Sequence, residues 1–171
     1  PEDSRAIAWD AESGEVSWVT KLPGIAFGHS TPVIVESGGR SILIALASGM
    51  VTAPEALRAL DASTGERLWS CAGAGDAASP AFGSGVLYFD SGRGSPGTAL
   101  ALDGVKEPRK LWTVPQVPEG IGSPIIAGEY VYRLHAPGVL KCWKLSTGEG
   151  AGLRRLEGIA AYNGYSGNVD D

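Results

Sequence analysis

The sequence predicts an all-β chain, a partial β-propeller of about 3.5–4 four-stranded antiparallel blades, and three observations predict it. A passage ending in tryptophan recurs, with Trp18, Trp69 and Trp112 standing 51 and 43 residues apart. A Ser/Thr-Pro pair recurs in step with it, at Thr31-Pro32, Ser79-Pro80 and Ser123-Pro124. Gly (25) and Pro (11) punctuate the 171 residues, and no window holds a helical hydrophobic period for three turns.

The tryptophan passage is clearest at Ala59-Leu60-Asp61-Ala62-Ser63-Thr64-Gly65-Glu66-Arg67-Leu68-Trp69. Ala8-Trp9-Asp10-Ala11-Glu12-Ser13-Gly14-Glu15-Val16-Ser17-Trp18 keeps every spacing and changes Thr to Ser. The third copy runs from Ala101 through Asp103 to Trp112, with one extra residue and no Thr-Gly pair. The fourth, Cys142-Trp143-Lys144-Leu145-Ser146-Thr147-Gly148-Glu149, keeps Thr147 and Gly148 but puts Lys144 at the Asp place and Gly152 at the Trp place.

Each Ser/Thr-Pro pair opens an apolar strand that ends in a turn: Ser37-Gly38-Gly39, Gly83-Ser84-Gly85 and Ala127-Gly128-Glu129. The strand-forming runs Ile42–Ala45, Val86–Phe89 and Tyr130–Arg133 follow, so each pair of runs reads as a hairpin. The unit is strand, turn, strand, loop, strand, Asp-x-x-Thr-Gly turn, strand. Residues 1–157 form the repeat segment, in units of about 1–46, 47–90, 91–134 and 135–157, and 158–171 reads as a polar, loosely ordered tail. The chain opens within a third strand near Ala6–Asp10, and we expect it to belong to a longer protein.

The motif has a local logic. Asp61 and Thr64 can bond backbone groups inside the turn. Gly65 supplies a positive φ, Ala59 leaves room for a ring, and Trp69 buries a large apolar area on the last strand. The pattern Ala-x-Asp-x-x-Thr-Gly-x-x-x-Trp resembles the tryptophan-docking motif of quinoprotein-type propellers, the pyrroloquinoline-quinone-like repeat proteins. The resemblance implies that Trp18, Trp69 and Trp112 pack between blades against the neighbouring motif's Gly peptide. It implies a structural docking set of Ala8, Asp10, Gly14, Ala59, Asp61, Thr64, Gly65, Asp103, Thr147 and Gly148 around those rings.

Quinone-dependent dehydrogenases of this family resemble one another in a Ca²⁺ site of Glu and Asn, an Asp base and an adjacent Cys-Cys disulfide. This chain has two cysteines, Cys71 and Cys142, far apart in the repeat, and no calcium-loop spacing. Neither pyrroloquinoline quinone (PQQ) nor Ca²⁺ is therefore expected, and no cofactor, metal or catalytic residue is assigned. Asp10, Asp61 and Asp103 take the same place in each repeat, which marks them as turn residues. His29, Ser30, Ser79 and Ser123 precede first strands, which line the channel of a propeller, so they are the residues expected to face a ligand. His135 reads as a loop histidine after a second strand. Ser91-Gly92-Arg93-Gly94-Ser95-Pro96-Gly97 lacks the Gly-Lys-Ser/Thr ending and a following helix, so it reads as an inter-strand loop. Lys106, Arg109 and Lys110, interrupted by Glu107 and Pro108, read as a solvated hairpin.

A net charge of -5 disfavours nucleic acid, and no run of 18 apolar residues exists to span a membrane. Pro1-Glu2-Asp3-Ser4 is not a secretory signal. The expected function is a non-catalytic scaffold that binds a protein partner through loops or exposed strand edges. Location in the periplasm or at the cell surface of a bacterium is implied by the resemblance alone. The rival expectation is part of a quinone-dependent dehydrogenase, or of an exported sensor module, whose active residues lie outside this segment.

Overall fold

The computed structural model describes residues 4–24, 28–46 and 49–157, with only the backbone described for 49–52. The tail expected at 158–171 lies outside the described residues. Among the described residues the chain forms fourteen strands and no helix. Sheet 1 pairs β1 (Arg5–Trp9) with β2 (Val16–Lys21). Sheet 2 holds β3 (Val33–Ser37), β4 (Arg40–Leu46), β5 (Gly49–Asp61) and β6 (Arg67–Gly75). Sheet 3 holds β7 (Ala81–Gly83), β8 (Val86–Phe89), β9 (Gly97–Ala101) and β10 (Arg109–Val114). Sheet 4 holds β11 (Ile125–Ala127), β12 (Tyr130–His135), β13 (Val139–Lys144) and β14 (Gly150–Arg155). Within each sheet every strand pairs antiparallel with its neighbours in sequence, so each sheet is a meander.

The first turns explain the meander. Gly38 (φ 59°) and Gly39 (φ 73°) both take positive φ between β3 and β4, the twist that matches two right-twisted strands. Ser84 (φ 50°) and Gly85 (φ 75°) repeat it between β7 and β8. The repeat units and the sheets are out of phase: the unit at 47–90 carries the last two strands of sheet 2 and the first two of sheet 3.

The longer first spacing between tryptophans also has a structural expression. The additional residues extend β5 and β6 beyond the counterpart strands of sheets 3 and 4. Their pairing slips between Gly49 and Ala53 and again between Ala53 and Leu57. Pro54, which cannot donate to a ladder, sits inside the second slip.

The core lies between sheets rather than within them. Ile42, Ile44, Leu57, Ala59 and Trp69 of sheet 2 pack with Leu87, Phe89 and Leu100 of sheet 3. Val86, Tyr88 and Ala99 of sheet 3 pack with Val131, Trp143 and Leu145 of sheet 4. Leu22, Ala6 and Trp18 close onto Leu60 and Leu43 between sheets 1 and 2. The first strands β7 and β11 lie beside each other, so sheets 3 and 4 converge at that end.

Candidate functional site

The repeated turns are built alike. Asp10 N–H donates to Glu15 O (2.8 Å) and Gly14 N–H to Asp10 O (2.9 Å); Asp61 N–H donates to Glu66 O and Gly65 N–H to Asp61 O (both 2.8 Å). Lys144 keeps this backbone pattern in the fourth copy, with Glu149 O at 2.9 Å and Gly148 N–H at 2.8 Å. Its ammonium then reaches Glu149 Oε2 at 2.6 Å. Asp61 Oδ1 accepts from Ser63 N–H (3.0 Å), Ser63 Oγ (2.5 Å) and Thr64 N–H (3.1 Å). These bonds, the Ser63 hydroxyl foremost, hold the Asp61 carboxyl down at about 2. Asp10 is lowered in the same way, chiefly by Ser13 N–H and its hydroxyl. The third copy, without Thr-Gly, ties Lys106 Nζ to Asp103 Oδ2 at 2.7 Å instead.

Two tryptophans lie against the next sheet's turn. Trp18 Nε1–H donates to Ala62 O at 3.0 Å, and Thr20 Oγ1–H to Gly65 O at 2.6 Å. A Cβ on Gly65 would fall 2.5 Å from Trp18 Cε3. Trp112 Nε1–H donates to Leu145 O at 2.8 Å, and a Cβ on Gly148 would fall 2.6 Å from Trp112 Cδ2. Trp69 packs between sheets 2 and 3, against Leu87, Phe89 and Leu100. It is 6% exposed, yet its indole N–H meets no acceptor among the described residues. The physical reason is the next motif: without the Thr-Gly turn, Gly104 instead packs on Gly38 and donates to Ser37 Oγ at 2.9 Å. Small residues face the rings across the ladder, Ala8 with Trp18, Ala59 with Trp69 and Ala99 with Trp112. The partner of Trp112 is thus Ala99, not Ala101, because the extra residue shifts the register.

At the first-strand end the serines form a chain of contacts. Thr31 N–H donates to Ser79 Oγ (2.8 Å) and Ser79 N–H to Ser123 Oγ (3.0 Å), so each links one sheet to the next. Ser30 Oγ is buried without a partner among the described residues. His29, 57% exposed at its side chain, lies 3.3 Å from Asp76 Oδ1, and Arg93 Nε lies 2.5 Å from Asp76 Oδ2. The residues 91–96 form an inter-strand loop that leads into β9 at Gly97, but Ser91 and Ser95 in it are buried. Ser91 N–H donates to Ser95 Oγ at 2.8 Å. His135 is a correction: it ends β12 rather than lying in a loop, and it is buried with Nδ1 2.9 Å from Pro118 O. Burial lowers its pKa.

Two buried charges carry no mark in the sequence. Arg133 is fully buried, and its Nε and Nη2 grip Asp90 Oδ2 and Oδ1 at 2.9 Å each. Its remaining N–H groups reach the carbonyls of Gly120, Gly122 and Leu134. All five guanidinium donors are therefore used. Partners 43 residues apart and one sheet apart leave no local signal, since neither a strand-end Asp nor a strand Arg is unusual alone.

Among the described residues no three His, Cys, Asp or Glu side chains gather at metal-binding reach. Cys71 on β6 and Cys142 on β13 are free thiols on different sheets, and burial pushes Cys71 up to about 11. Large apolar side chains stand exposed on the first and last sheets, among them Trp9 (59%), Val19 (51%), Ile125 (65%) and Leu153 (67%). No helix among the described residues is long and apolar enough to cross a membrane.

A family model of PQQ repeats, described as outer membrane protein assembly factor BamB, matches residues 2–103. Among solved structures, BamB from Moraxella catarrhalis is 18% identical, with 94% of this chain and 60% of that one covered and a TM-score of 0.48. The computationally designed Ika8 protein is 13% identical, covering 93% of this chain and 46% of its own, with a TM-score of 0.62. A europium-containing methanol dehydrogenase is 14% identical, covering 75% and 26%, with a TM-score of 0.51. At these identities the likeness to the designed protein and to the dehydrogenase is one of fold. The chain spans 60% or less of the length of each of these structures. No curated protein sequence matches it.

Proposed function

We propose, from the premise that this chain belongs to the PQQ-like repeat family of the outer membrane protein assembly factor BamB, that it is a non-catalytic propeller scaffold that binds a protein partner. In this reading it is part of a larger exported bacterial protein, located in the periplasm or at the cell surface, and works without quinone or calcium. Fold alone does not fix that role. The observation that carries it is the exposed apolar set on the outer sheets, Trp9 and Val19 at one end and Ile125 and Leu153 at the other. On sheet 1, Trp9, Val16 and Val19 lie exposed beside one another, and a contiguous exposed apolar face of that kind marks a site of association. The motif residues, by contrast, are engaged in turns and sheet-to-sheet contacts, as Asp61, Trp18 and Trp112 illustrate.

The test places a photo-crosslinking residue at Val19 or Leu153 in the full-length protein, inside its native host. Crosslinks to a second protein are expected. Crosslinks confined to the protein's own chain, together with alcohol-dependent turnover on adding PQQ and Ca²⁺, would overturn the reading in favour of a dehydrogenase.

A further inference from the structure

Arg58 and Arg133 are two buried arginines with opposite fates. Arg133 uses all its donors within the protein. Arg58, 3% exposed, uses only Nη2, which donates to Pro23 O at 2.9 Å and to Glu55 Oε2 at 3.2 Å. Its Nε and Nη1 are buried with no hydrogen-bond partner among the described residues. A buried guanidinium donor without an acceptor is costly, because it has lost water and gained nothing. Arg58 also lines a cavity of about 360 Å³ with Pro23, Gly24, Ala53, Pro54, Glu55 and Ala56. That volume lies within the range of small-ligand sites. The cavity lies between the slipped stretch of β5 around Ala53 and Pro54 and the residues Pro23 and Gly24 that follow β2.

We propose that this cavity is a binding site for a single carboxylate, presented by an acidic segment of the protein partner. The inference deepens the scaffold reading above and rests on it for the source of the carboxylate. Three features select the chemistry. Guanidinium donors pair best with carboxylate or phosphate oxygens. Arg58 and Arg67 share one acid, Glu55, which both contact, so this group of three carries one net positive charge and balances a monoanion. A phosphate dianion would meet the Glu55 carboxylate at close range, and like charges there repel. Pro23, Pro54, Ala53 and Ala56 form apolar walls suited to the methylenes or backbone that carry a carboxyl group.

The test follows the Arg58 Nε–H resonance of the full-length protein by NMR during titration. The probes are an acetylated, amidated peptide with one central Glu, a neutral peptide with a free C-terminal carboxylate, and inorganic phosphate. A saturable Arg58 shift with one of the peptides is expected, and which peptide acts identifies side chain or terminus as the source. Glu55→Gln should tighten peptide binding about threefold by removing the competing acid, and Ala53→Leu should abolish it by filling the cavity. Arg58→Lys should weaken it about tenfold. No shift with either peptide, a shift with phosphate alone, or binding that Ala53→Leu leaves intact overturns the proposal. Because the titration needs no partner, a positive shift without any crosslinked protein would refute the scaffold reading while leaving the carboxylate site standing.

Discussion

Gly65→Ala should be among the most damaging single-methyl changes in the chain. Gly65 has φ 74°, and a methyl there would meet Trp18 Cε3 at 2.5 Å, Trp18 Cδ2 at 2.6 Å and Thr20 Oγ1 at 2.7 Å. The left-handed backbone costs an L-residue about 1–2 kcal/mol. Forcing an extra carbon into a packed contact adds about 1–3 kcal/mol. Displacing the Trp18 ring removes its bond to Ala62 O, worth about 1 kcal/mol. The expected sum is about 3–6 kcal/mol. Gly14 is the internal control, because it has the same motif place and the same φ of 74°, but a methyl there would meet nothing within 4 Å. Gly14→Ala should therefore cost only about 1–2 kcal/mol. Urea unfolding of both variants of the 171-residue chain, with the Trp18 indole N–H peak as a local probe, measures the gap. Equal costs, with that peak unmoved in Gly65→Ala, would refute the reasoning that the ring rests on this glycine.

Trp69→Ala should cost about 3–5 kcal/mol as a buried-ring deletion. Trp69→Phe should cost about 1 kcal/mol less than Trp18→Phe, since the Trp69 indole has no bond to lose among the described residues; denaturant midpoints of these variants decide this. Arg133→Ala leaves Asp90 buried without its partner and should lower stability by about 3–5 kcal/mol in the same assay. Asp61 has its folded pKa depressed to about 2 by the turn, so its contribution is present above the ordinary carboxylate range and is lost as pH falls toward 2. Asp61→Asn, which can still accept from the turn, should flatten that acid limb of the stability curve.

The architecture is legible because the repeat writes it several times over. Ser/Thr-Pro, the glycine turns and the tryptophan each recur, and each lands on the element expected of it. The site is less legible, for a reason visible at Trp69. The best copy of the motif contains the tryptophan without a docking bond, because a ring's partner belongs to the following copy and not to its own. Motif quality read along the chain points to a strong left part and a decaying right part, whereas the weak link lies in the middle, at Gly104. The position of His135 is hidden because burial at a strand end leaves no mark in a single sequence. Arg133 with Asp90, and Arg58 with its cavity, are hidden too, because their meaning depends on which sheet faces which.

The serine chain from Thr31 through Ser79 to Ser123 gives the array its arc. Two fixed points define a direction. Sheets 3 and 4 are fastened near the hub by Ser79 and Ser123 and near the rim by Trp112 and Leu145, so the wedge between them has one opening angle. Sheets 2 and 3 are fastened near the hub by Thr31 and Ser79, but their rim tryptophan makes no bond among the described residues. There the joint is held by the Gly104 N–H bond to Ser37 Oγ and by the packing of Phe89, Leu100 and Trp69. That joint thus joins backbone to a serine hydroxyl, where the joint after it joins an indole to a carbonyl.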